Sequence, residues 1–395
     1  MAALPDYPDA FQSIRTGPWR TSPIETVGLA EAPGRVLAEP LLADRDLPPF
    51  DRSAMDGYAV RSKDLEEADS LPSAGFIAAG DSDPPEVPSG YCVGIATGAP
   101  VPPQLDAVAP HEWTDRGDPV SFERKPETGN AIHHRGSDAS AGDELVSSGT
   151  RMGPVEIGLA ATVGTRSIPV YRRPTIMLLS SGDEVVAIDV KPGPSQIRNS
   201  NLPMIAHLLE RMGGDVIDEQ WLPDDVALTR RTLETCEADM IITIGGISAG
   251  DRDAFKEAID SLQTTMLLKG AAIQPGRPIQ VAAINGNRPL ISLPGNPVSA
   301  LATACLFAWP ILRMMQGLTP DLPWSRGVLS ESAGRHRSRR RFRPVKRDGQ
   351  GGLVVPHWQG SGDLSHATDT IGLADLAAGE QMIEEGTPVN WLPWP

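Results

Sequence analysis

Acidic and hydroxyl side chains recur in glycine-containing turns of this sequence, after short apolar runs. In residues 240–253, the run Met-Ile-Ile-Thr-Ile is followed by Gly-Gly-Ile-Ser-Ala-Gly-Asp-Arg-Asp. A short apolar run bounded by glycines is typical of a buried parallel strand, and we predict a helix over about 255–262. The glycines would let the backbone approach a ligand, and Ser248, Asp251 and Asp253 would place oxygen atoms beside it.

The glycine spacing in this turn excludes two common nucleotide-binding loops. A dinucleotide-binding fingerprint needs Gly-x-Gly-x-x-Gly, and a phosphate-binding P-loop needs Lys-Ser or Lys-Thr after its last glycine. Two aspartates in place of a lysine indicate a site that holds a metal ion or orients a polar ligand. For this stretch alone, a strand-to-helix turn with an aspartate cap is the alternative interpretation.

Three further predicted strands, 175–179, 215–221 and 290–293, also end in polar turns. The alternation of strands and helices across 173–319 predicts a doubly wound α/β domain. Because ligands bind outside the carboxyl ends of an open parallel sheet, we expect the polar residues of these turns to converge. They are Glu184, Asp225, Asp253, Pro294, Asn296 and Pro297. Arg277 lies in a separate rigid turn, and its planar guanidinium can bind an anion.

The regions that flank the α/β domain are rich in turns and short apolar runs. Residues 46–139 predict a β-rich inserted domain, and residues 320–395 predict a second small β domain. The segments 1–45 and 140–172 are assigned to an elongated linker domain that connects them.

Two features of the inserted domain could suggest a site. Asp56 precedes Gly57 in a loop, where a carboxylate is either a turn former or a ligand. The adjacent His133 and His134 invite a metal interpretation, but neighbours on a strand point to opposite faces, which disfavours a shared metal ion.

The composition limits the class of protein. A net charge of −16 over 395 residues argues against a general nucleic-acid or anionic-membrane surface. The cysteines Cys92, Cys236 and Cys305 have no zinc-type spacing and predict buried thiols in a reducing compartment. Residues 1–15 lack the order of a signal peptide, and the most apolar stretch, 300–312, is too short to span a bilayer. We therefore expect a soluble, cytoplasmic protein.

A dense basic cluster, Arg-His-Arg-Ser-Arg-Arg-Arg-Phe-Arg at 335–343, stands out in this acidic chain. RNA binding is one interpretation, but the cluster has little aromatic interleaving and belongs to no recognised binding module. A local anion site, or a strand with mostly solvated arginines, is favoured.

Six motifs together resemble those of the molybdopterin molybdenumtransferase family, which includes bacterial MoeA and the E domain of gephyrin. The motifs are Ser-Ala-Met-Asp-Gly-Tyr-Ala-Val at 53–60, Ala-Thr-Gly-Ala at 96–99, Arg-Gly-Ser-Asp at 135–138, Ser-Gly-Asp-Glu at 181–184, the turn at 245–253 and Leu-Pro-Gly-Asn-Pro-Val-Ser at 293–299. The resemblance covers nearly the whole chain. It implies a multidomain α/β plus β protein with a central doubly wound molybdopterin-binding domain, a β-rich inserted domain and a small C-terminal β-barrel domain.

The resemblance also implies an activity. The family inserts molybdenum from molybdate into adenylylated molybdopterin and releases AMP, with the help of a divalent cation such as Mg²⁺. Family members form homodimers in which the active cleft lies between the α/β domain of one subunit and the inserted domain of the other. Molybdopterin adenylyltransferase and acceptor molybdoenzymes are expected partners, whereas nucleic acid and membrane are not.

The site residues of the family map onto this chain by motif. The expected catalytic and metal-binding carboxylates are Asp56, Glu184, Asp225 and Asp253. The expected substrate-binding residues are Thr97, Asp138, Gly245, Gly246, Ser248, Pro294, Asn296, Pro297, Arg277, Ser299, Arg339 and Ser361. By similarity, Asp56, Thr97 and Asp138 would come from the partner subunit.

The chain departs from the family pattern in its cations. The family has Lys-Pro-Gly-Lys-Pro where this chain has Gln-Pro-Gly-Arg-Pro at 274–278, so one cation is lost and another is exchanged. Arg198-Asn199 replaces the usual Tyr-Asp, and Pro344 stands where a basic residue is usual. The alternative function is therefore a catalytically weak molybdopterin-binding or scaffold dimer of the same fold.

Overall fold

The computed structural model describes residues 3–81, 85–246 and 254–395. Ser248 and Asp253, which the sequence analysis placed in the site, lie outside the described residues. The described chain forms an α/β domain, a two-segment linker, an inserted β-rich domain and a C-terminal β domain.

The α/β domain is built on a six-stranded sheet. In spatial order its strands are Asp215–Leu222, Thr175–Ser181, Met240–Ile244, Arg288–Leu293, Gln280–Ile284 and Thr264–Lys269. The first four run parallel, as the sequence predicted, and the last two add an antiparallel edge that it did not. Ser180, Ile244 and Leu293 lie side by side in register, so the carboxyl ends of three parallel strands reach one edge of the sheet.

Alternating side chains of the central strands are buried on opposite faces of this sheet. Ile176 packs in one apolar cluster with helix Asn201–Arg211, whereas Met177 packs in another with Phe255. Because successive side chains of a strand point to opposite faces, helices must cover both, which is the doubly wound arrangement. The helices of this domain are Asn201–Arg211, Val226–Thr235, Ala254–Asp260 and the helical run Pro297–Met315.

The helical run Pro297–Met315 is the core helix of the α/β domain. It consists of an α-helix at Pro297–Thr303, a π-helical segment at Ala304–Ala308 and an α-helix at Trp309–Met315. By length and composition its 19 residues could cross a membrane, which corrects the expectation drawn from the shorter stretch 300–312. However, 83% of its apolar window is buried within the protein, so it packs as a core helix of the α/β domain.

The N-terminal helix Tyr7–Arg15 packs on the same core. Asp6 precedes the helix and accepts a hydrogen bond from the Tyr7 backbone N–H at 2.7 Å. The side chains of Tyr7, Ala10 and Ile14 are buried in the α/β cluster. The first part of segment 1–45 therefore packs with the α/β domain.

The linker carries the chain to the inserted domain and back. Antiparallel pairs join strand Ile24–Gly28 to Ser167–Tyr171 and strand Leu41–Leu42 to Glu144–Val146. Helix Pro154–Thr162 begins at a proline and packs on these strands. The two chain segments of the linker are thus held together along its length.

The inserted domain is a four-stranded sheet with shorter strand pairs at its rim. In spatial order the strands are Ser73–Ile77, Cys92–Ile95, Gly57–Val60 and Ala107–Pro110. The short pairs are Arg52–Ser53 with Ile132–His133 and Ser70–Leu71 with Val120–Ser121, and a helical turn spans Asp64–Glu67. The first short pair is antiparallel, so the loops that carry Asp56 and Asp138 leave it at opposite ends.

The C-terminal domain closes into a small β barrel. In spatial order its sheet contains Ile273–Gln274, Arg340–Arg347, Gly372–Leu376, Pro388–Pro393 and Ser325–Val328. Strand Leu353–Val354 pairs with Arg340–Arg347, and Leu353 also bridges to Leu329, which closes the sheet. Because Ile273–Gln274 comes from the α/β domain, the sheet joins the two domains.

Candidate active site

A cavity of about 720 Å³ opens at the carboxyl ends of the parallel strands. Its walls include the turns that follow strands Thr175–Ser181, Met240–Ile244 and Arg288–Leu293. We call it the main cavity, and its volume is in the range of small-molecule sites. The sequence-predicted residues that line it are Glu184, Gly245, Gly246, Pro294, Asn296 and Pro297.

Glycine is required at two points in these turns. Gly182 has a φ of +133°, and a Cβ added there would lie 2.7 Å from Oε2 of Glu184. Gly245 has a φ of +83°, and an added Cβ would lie 3.3 Å from the Ser181 carbonyl oxygen. Both residues occupy a backbone region that favours glycine, so the turns seen in the sequence shape the cavity wall.

Two carboxylates, Glu184 and Asp224, line the main cavity. Burial raises the pKa of Asp224, and the negative charges of Asp183 and Glu184 raise it further. The acidic groups at this edge therefore repel one another when they are ionised.

Asp225 lies elsewhere than the sequence analysis expected. Its Oδ1 accepts hydrogen bonds from the backbone N–H groups of Ala227 at 2.9 Å and Leu228 at 3.0 Å, so it caps helix Val226–Thr235. The preceding residue, Asp224, is the one that lines the cavity. Sequence reasoning missed Asp224, although the strong preference for aspartate directly before a helix could have separated the two.

Two amide side chains complete the main cavity, and sequence reasoning did not assign either to the site. Asn199 donates to Ser180 Oγ at 2.8 Å and accepts from the Leu202 backbone N–H at 3.2 Å. Asn201 donates to the Gly295 carbonyl oxygen at 2.7 Å. Its buried Oδ1 has no hydrogen-bond partner within the described chain. The available signal was the position of Asn199 and Asn201 at the start of helix Asn201–Arg211.

A second cavity of about 480 Å³, the basic cavity, adjoins the main one. Pro278, Pro294 and Asn296 line both cavities and form their common wall. The sequence-predicted residues that line the basic cavity are Arg277, Ser299, Arg339, Ser361, Pro294 and Asn296. The expected anion-binding residues are thus brought together.

Two arginines, each hydrogen-bonded to another side chain, determine the charge and polarity of the basic cavity. Nη2 of Arg339 lies 2.7 Å from Nε2 of His336, and burial and the charges of Arg339 and Arg341 lower the pKa of His336. Arg341 donates from Nε to Oε1 of Gln274 at 2.8 Å. Gln274 lines the cavity, so a guanidinium orients the amide that stands where the family has lysine.

The far wall of the basic cavity comes from the C-terminal domain. The Arg343 guanidinium lies 4.0 Å from the centre of the Trp358 ring, and its Nη2 donates to the Pro356 carbonyl oxygen at 2.7 Å. Arg343 is only 7% exposed, and burial lowers its pKa to about 10. This buried cation fixes Trp358, which lines the cavity beside Ser361.

The inserted-domain residues form a separate group that lines neither cavity. Oδ1 of Asp56 accepts from the Thr97 backbone N–H at 2.8 Å, and this hydrogen bond is the main cause of the lowered pKa of Asp56. Asp138 lies 2.8 Å from Nε2 of His133, whose Nδ1 lies 3.1 Å from Arg52 Nη2. His133 therefore orients Asp138.

The side chains at the main cavity include the type of ligand that a divalent cation prefers. Glu184 and Asp224 offer carboxylate oxygens, and their mutual repulsion is what a divalent cation relieves. Across residues 3–81, 85–246 and 254–395, no three His, Cys, Asp or Glu side chains converge closely enough to form a complete metal site.

Three family models cover most of the chain. The MoeA N-terminal region (domain I and II) matches residues 6–164, the probable molybdopterin binding domain matches 177–314, and the MoeA C-terminal region (domain IV) matches 326–394. The match to the probable molybdopterin binding domain covers all lining residues of the main cavity except Gly362.

Similar proteins and structures extend over the same length. Molybdopterin molybdenumtransferase 2 of Mycobacterium tuberculosis is 36% identical over 380 residues, which are 92% of this chain and 94% of that protein. Molybdopterin molybdenumtransferase of Synechococcus elongatus is 31% identical over 93% of this chain and 94% of its own. The crystal structure of the molybdopterin biosynthesis MoeA protein from Pyrococcus horikoshii OT3 superposes with a TM-score of 0.83 at 26% identity, over 99% of this chain and 100% of that one. The chain therefore belongs to the molybdopterin molybdenumtransferase family of molybdenum cofactor biosynthesis.

Proposed function

We propose that this protein transfers molybdenum from molybdate to adenylylated molybdopterin and releases AMP. The observation that carries the proposal is the pairing of two adjoining cavities of different charge. Glu184 and Asp224 line one cavity, Arg277 and Arg339 line the other, and Asn296 belongs to the wall between them. Such an arrangement can hold two anions side by side although they repel each other.

We assign the pyrophosphate and pterin parts of the substrate to the main cavity. Gly245 and Gly246 leave room for the backbone to approach a ligand, and Asn201 lines the same cavity. Glu184 and Asp224 would hold the divalent cation, with Asp253 as a further candidate from sequence. A bound cation such as Mg²⁺ would offset the negative charge of phosphate oxygens.

We assign molybdate to the basic cavity. Arg277 and Arg339 supply positive charge, and the Ser361 hydroxyl already accepts a hydrogen bond from Nδ2 of Asn296 at 2.8 Å. The Ser361 proton is therefore available for donation to an oxyanion. Ser299, which is buried at the start of the core helix, offers a second hydroxyl.

We propose that a second copy of the chain completes the cleft with Asp56, Thr97 and Asp138. The support is that these residues are exposed and line neither cavity of the same chain. Phe50 and Met55 beside them are each 43% exposed, which is typical of a surface that another subunit covers.

We also propose that the reaction takes place in the cytoplasm. Its support is that Cys92, Cys236 and Cys305 are buried and free, as expected of a reducing compartment. The adenylylated substrate requires a preceding adenylyl-transfer enzyme, and the product requires an acceptor molybdoenzyme. These two kinds of protein are the expected partners.

The direct test is a molybdate-dependent release of AMP. Purified protein is incubated with adenylylated molybdopterin, Mg²⁺ and molybdate, with tungstate as a competing oxyanion. The Arg277→Gln and Asp224→Asn variants should lose most of the AMP release. The matched control is Arg337→Gln, because Arg337 is exposed and lines neither cavity.

The rival function is a dimer that binds molybdopterin without turnover, and one observation favours it. Gln274 occupies the basic cavity where the family has a lysine, and its amide is already bonded to Arg341. If adenylylated molybdopterin binds and molybdate releases no AMP, the transferase proposal fails and the result supports binding without turnover.

A further inference from the structure

We propose that the C-terminal domain contains a separate anion site that binds a phosphate group. The site is a cleft of about 390 Å³ with no lining residue in common with the main or basic cavity. We call it the C-terminal cleft. Its polar lining residues are Arg326, Arg335, Arg340, Asp375, Thr387 and Asn390.

The sheet of the C-terminal barrel places these side chains together. Arg326 is directly opposite Asn390 in the strand pairing, and Asn390 is directly opposite Asp375. Cross-strand neighbours share a face of the sheet, so these three side chains form one row. Arg340 joins the row through its ion pair with Asp375, in which Nη1 and Oδ2 are 2.8 Å apart.

The cleft carries more positive than negative charge. Arg340 is neutralised by Asp375 and lies 3.8 Å from Asp6. Within the described chain, neither Arg326 nor Arg335 has a carboxylate within the 4.0 Å of an ion pair. The buried Nε of Arg335 also has no hydrogen-bond partner there. Arg335 thus offers a partly buried guanidinium, and Arg326 an exposed one, with which an external anion can pair.

The basic cluster at 335–343 is thereby divided between two sites. Arg339 lines the basic cavity, and Arg341 reaches that cavity through Gln274. Arg335 and Arg340 line the C-terminal cleft instead. Arg340 and Arg341 are neighbours on one strand, and their side chains therefore point to opposite faces. The two sites lie on opposite faces of one strand, so Arg340 and Arg341 do not form one continuous surface.

The chemistry of the cleft favours a tetrahedral oxyanion. Arginine forks bind phosphate oxygens with paired hydrogen bonds, and the side chains of Asn390 and Thr387 can donate additional ones. A cleft of about 390 Å³ also leaves room for a small organic group attached to the phosphate. Free phosphate and a small phosphate monoester share this chemistry.

The test is a calorimetric titration of the full-length protein at low ionic strength. Inorganic phosphate and glycerol 3-phosphate are the two probes. The Arg326→Gln/Arg335→Gln double variant should bind the better probe at least about tenfold more weakly. Tighter binding of glycerol 3-phosphate would identify a monoester as the occupant, and equal binding would identify free phosphate.

Two controls decide the result. Arg337→Gln removes an exposed arginine of the same cluster that lines none of the three cavities, and Arg277→Gln alters only the basic cavity. Arg337→Gln should retain phosphate binding. Arg277→Gln can weaken oxyanion binding at the basic cavity but should retain the binding event that the double variant loses. Equal weakening in Arg337→Gln, or loss in Arg277→Gln alone, would overturn the proposal. Arg326→Gln alone, at an exposed strand position, provides the same test if the double variant unfolds.

Discussion

The side-chain amide of Asn296 donates a hydrogen bond to the Ser361 hydroxyl across the boundary between two domains, with 2.8 Å between the two atoms. A backbone bond from the Val298 N–H to the Ser361 carbonyl oxygen, at 3.1 Å, reinforces it. Because Asn296 lines both cavities, the wall between them is held in place by the C-terminal domain. We therefore expect the loop that carries Ser361 to affect the binding of the oxyanion more than the stability of the fold.

Removal of the Ser361 hydroxyl tests this relationship. Ser361→Ala should raise the half-saturating molybdate concentration by about tenfold, since a hydrogen bond to a charged group stabilises binding by about 1.5–3 kcal/mol. The unfolding free energy should change by no more than about 1 kcal/mol, because the lost internal bond is a single, partly exposed one. Initial rates at varied molybdate and chemical denaturation measure the two effects.

A matched serine gives the control for this variant. Ser332 lies in the same domain, is exposed and lines neither cavity. Ser332→Ala should leave the molybdate dependence unchanged. An unaltered molybdate dependence in Ser361→Ala as well would remove Ser361 from the oxyanion site.

Substitutions of the adjacent aspartates should have different effects. Loss of Asp224 should affect activity, and loss of Asp225 should affect stability. Asp224→Ala removes a cavity carboxylate and should reduce AMP release by at least about a hundredfold with little change in thermal stability. Asp225→Ala removes the cap of helix Val226–Thr235 and should cost about 0.5–2 kcal/mol of unfolding free energy. Each variant serves as the control for the other. The reverse pattern would return the catalytic role to Asp225.

The pH dependence of stability should report the crowding of carboxylates around Asp224. Burial and the charges of Asp183 and Glu184 raise the pKa of Asp224 above its ordinary value of 3.8. Below that value Asp224 is protonated whether the chain is folded or unfolded. As the pH rises through the raised pKa, the folded wild type must ionise Asp224 at a cost that Asp224→Asn avoids.

We therefore expect Asp224→Asn to be more stable than the wild type at neutral pH without divalent cations. The difference should shrink as the pH falls and disappear below about 3.8. Thermal unfolding in a chelating buffer at several pH values measures it. A difference that grows toward acid pH would show that the other carboxylates do not repel Asp224.

Addition of Mg²⁺ should reverse this order of stability. A ligand at one hundred times its dissociation constant stabilises the folded state by about 2.7 kcal/mol. The wild type should therefore gain thermal stability with Mg²⁺, and Asp224→Asn should gain much less. Asp225→Asn keeps a good helix cap and is the matched control, which should respond as the wild type does. Equal gains in all three proteins would exclude Asp224 as a ligand.

The parallel part of the fold could be predicted from sequence because its signals are local. Apolar runs followed by glycine turns identified strands Thr175–Ser181 and Met240–Ile244, and their pairing in parallel brought the turns to one edge. The antiparallel strand Gln280–Ile284 was missed, since its small apolar residues carry no direction. A few neighbouring residues are enough to predict a strand, but its orientation depends on the strands with which it pairs, which are distant in the sequence.

The sequence identified several of the residues that line the two cavities, but not all of them. Motifs located Arg277 and Ser361, which the fold brings into one cavity although they are far apart in the chain. The choice between Asp224 and Asp225 depended on where the next helix begins. The division of the arginine cluster between two cavities depended on strand register, which no local pattern determines.

The contribution of a partner subunit can be tested with a mixed dimer. Asp56 and Glu184 are both expected carboxylates of the site, yet Glu184 lines the main cavity and Asp56 does not. If the cleft is shared, Asp56→Asn and Glu184→Gln should each abolish AMP release as homodimers. A dimer with one subunit of each kind has one damaged cleft and one intact cleft. Such a dimer should recover about half of the wild-type activity.

Co-expression with two different affinity tags and sequential purification yields this mixed dimer. The matched control pairs Asp56→Asn with an Asp56→Asn/Glu184→Gln subunit, which leaves no intact cleft and should remain inactive. A tagged wild-type dimer calibrates the full activity. An inactive mixed dimer beside an active wild type would place Asp56 and Glu184 in the cleft of a single chain. Recovery of about half the activity requires both subunits, because neither variant chain carries a complete set of carboxylates.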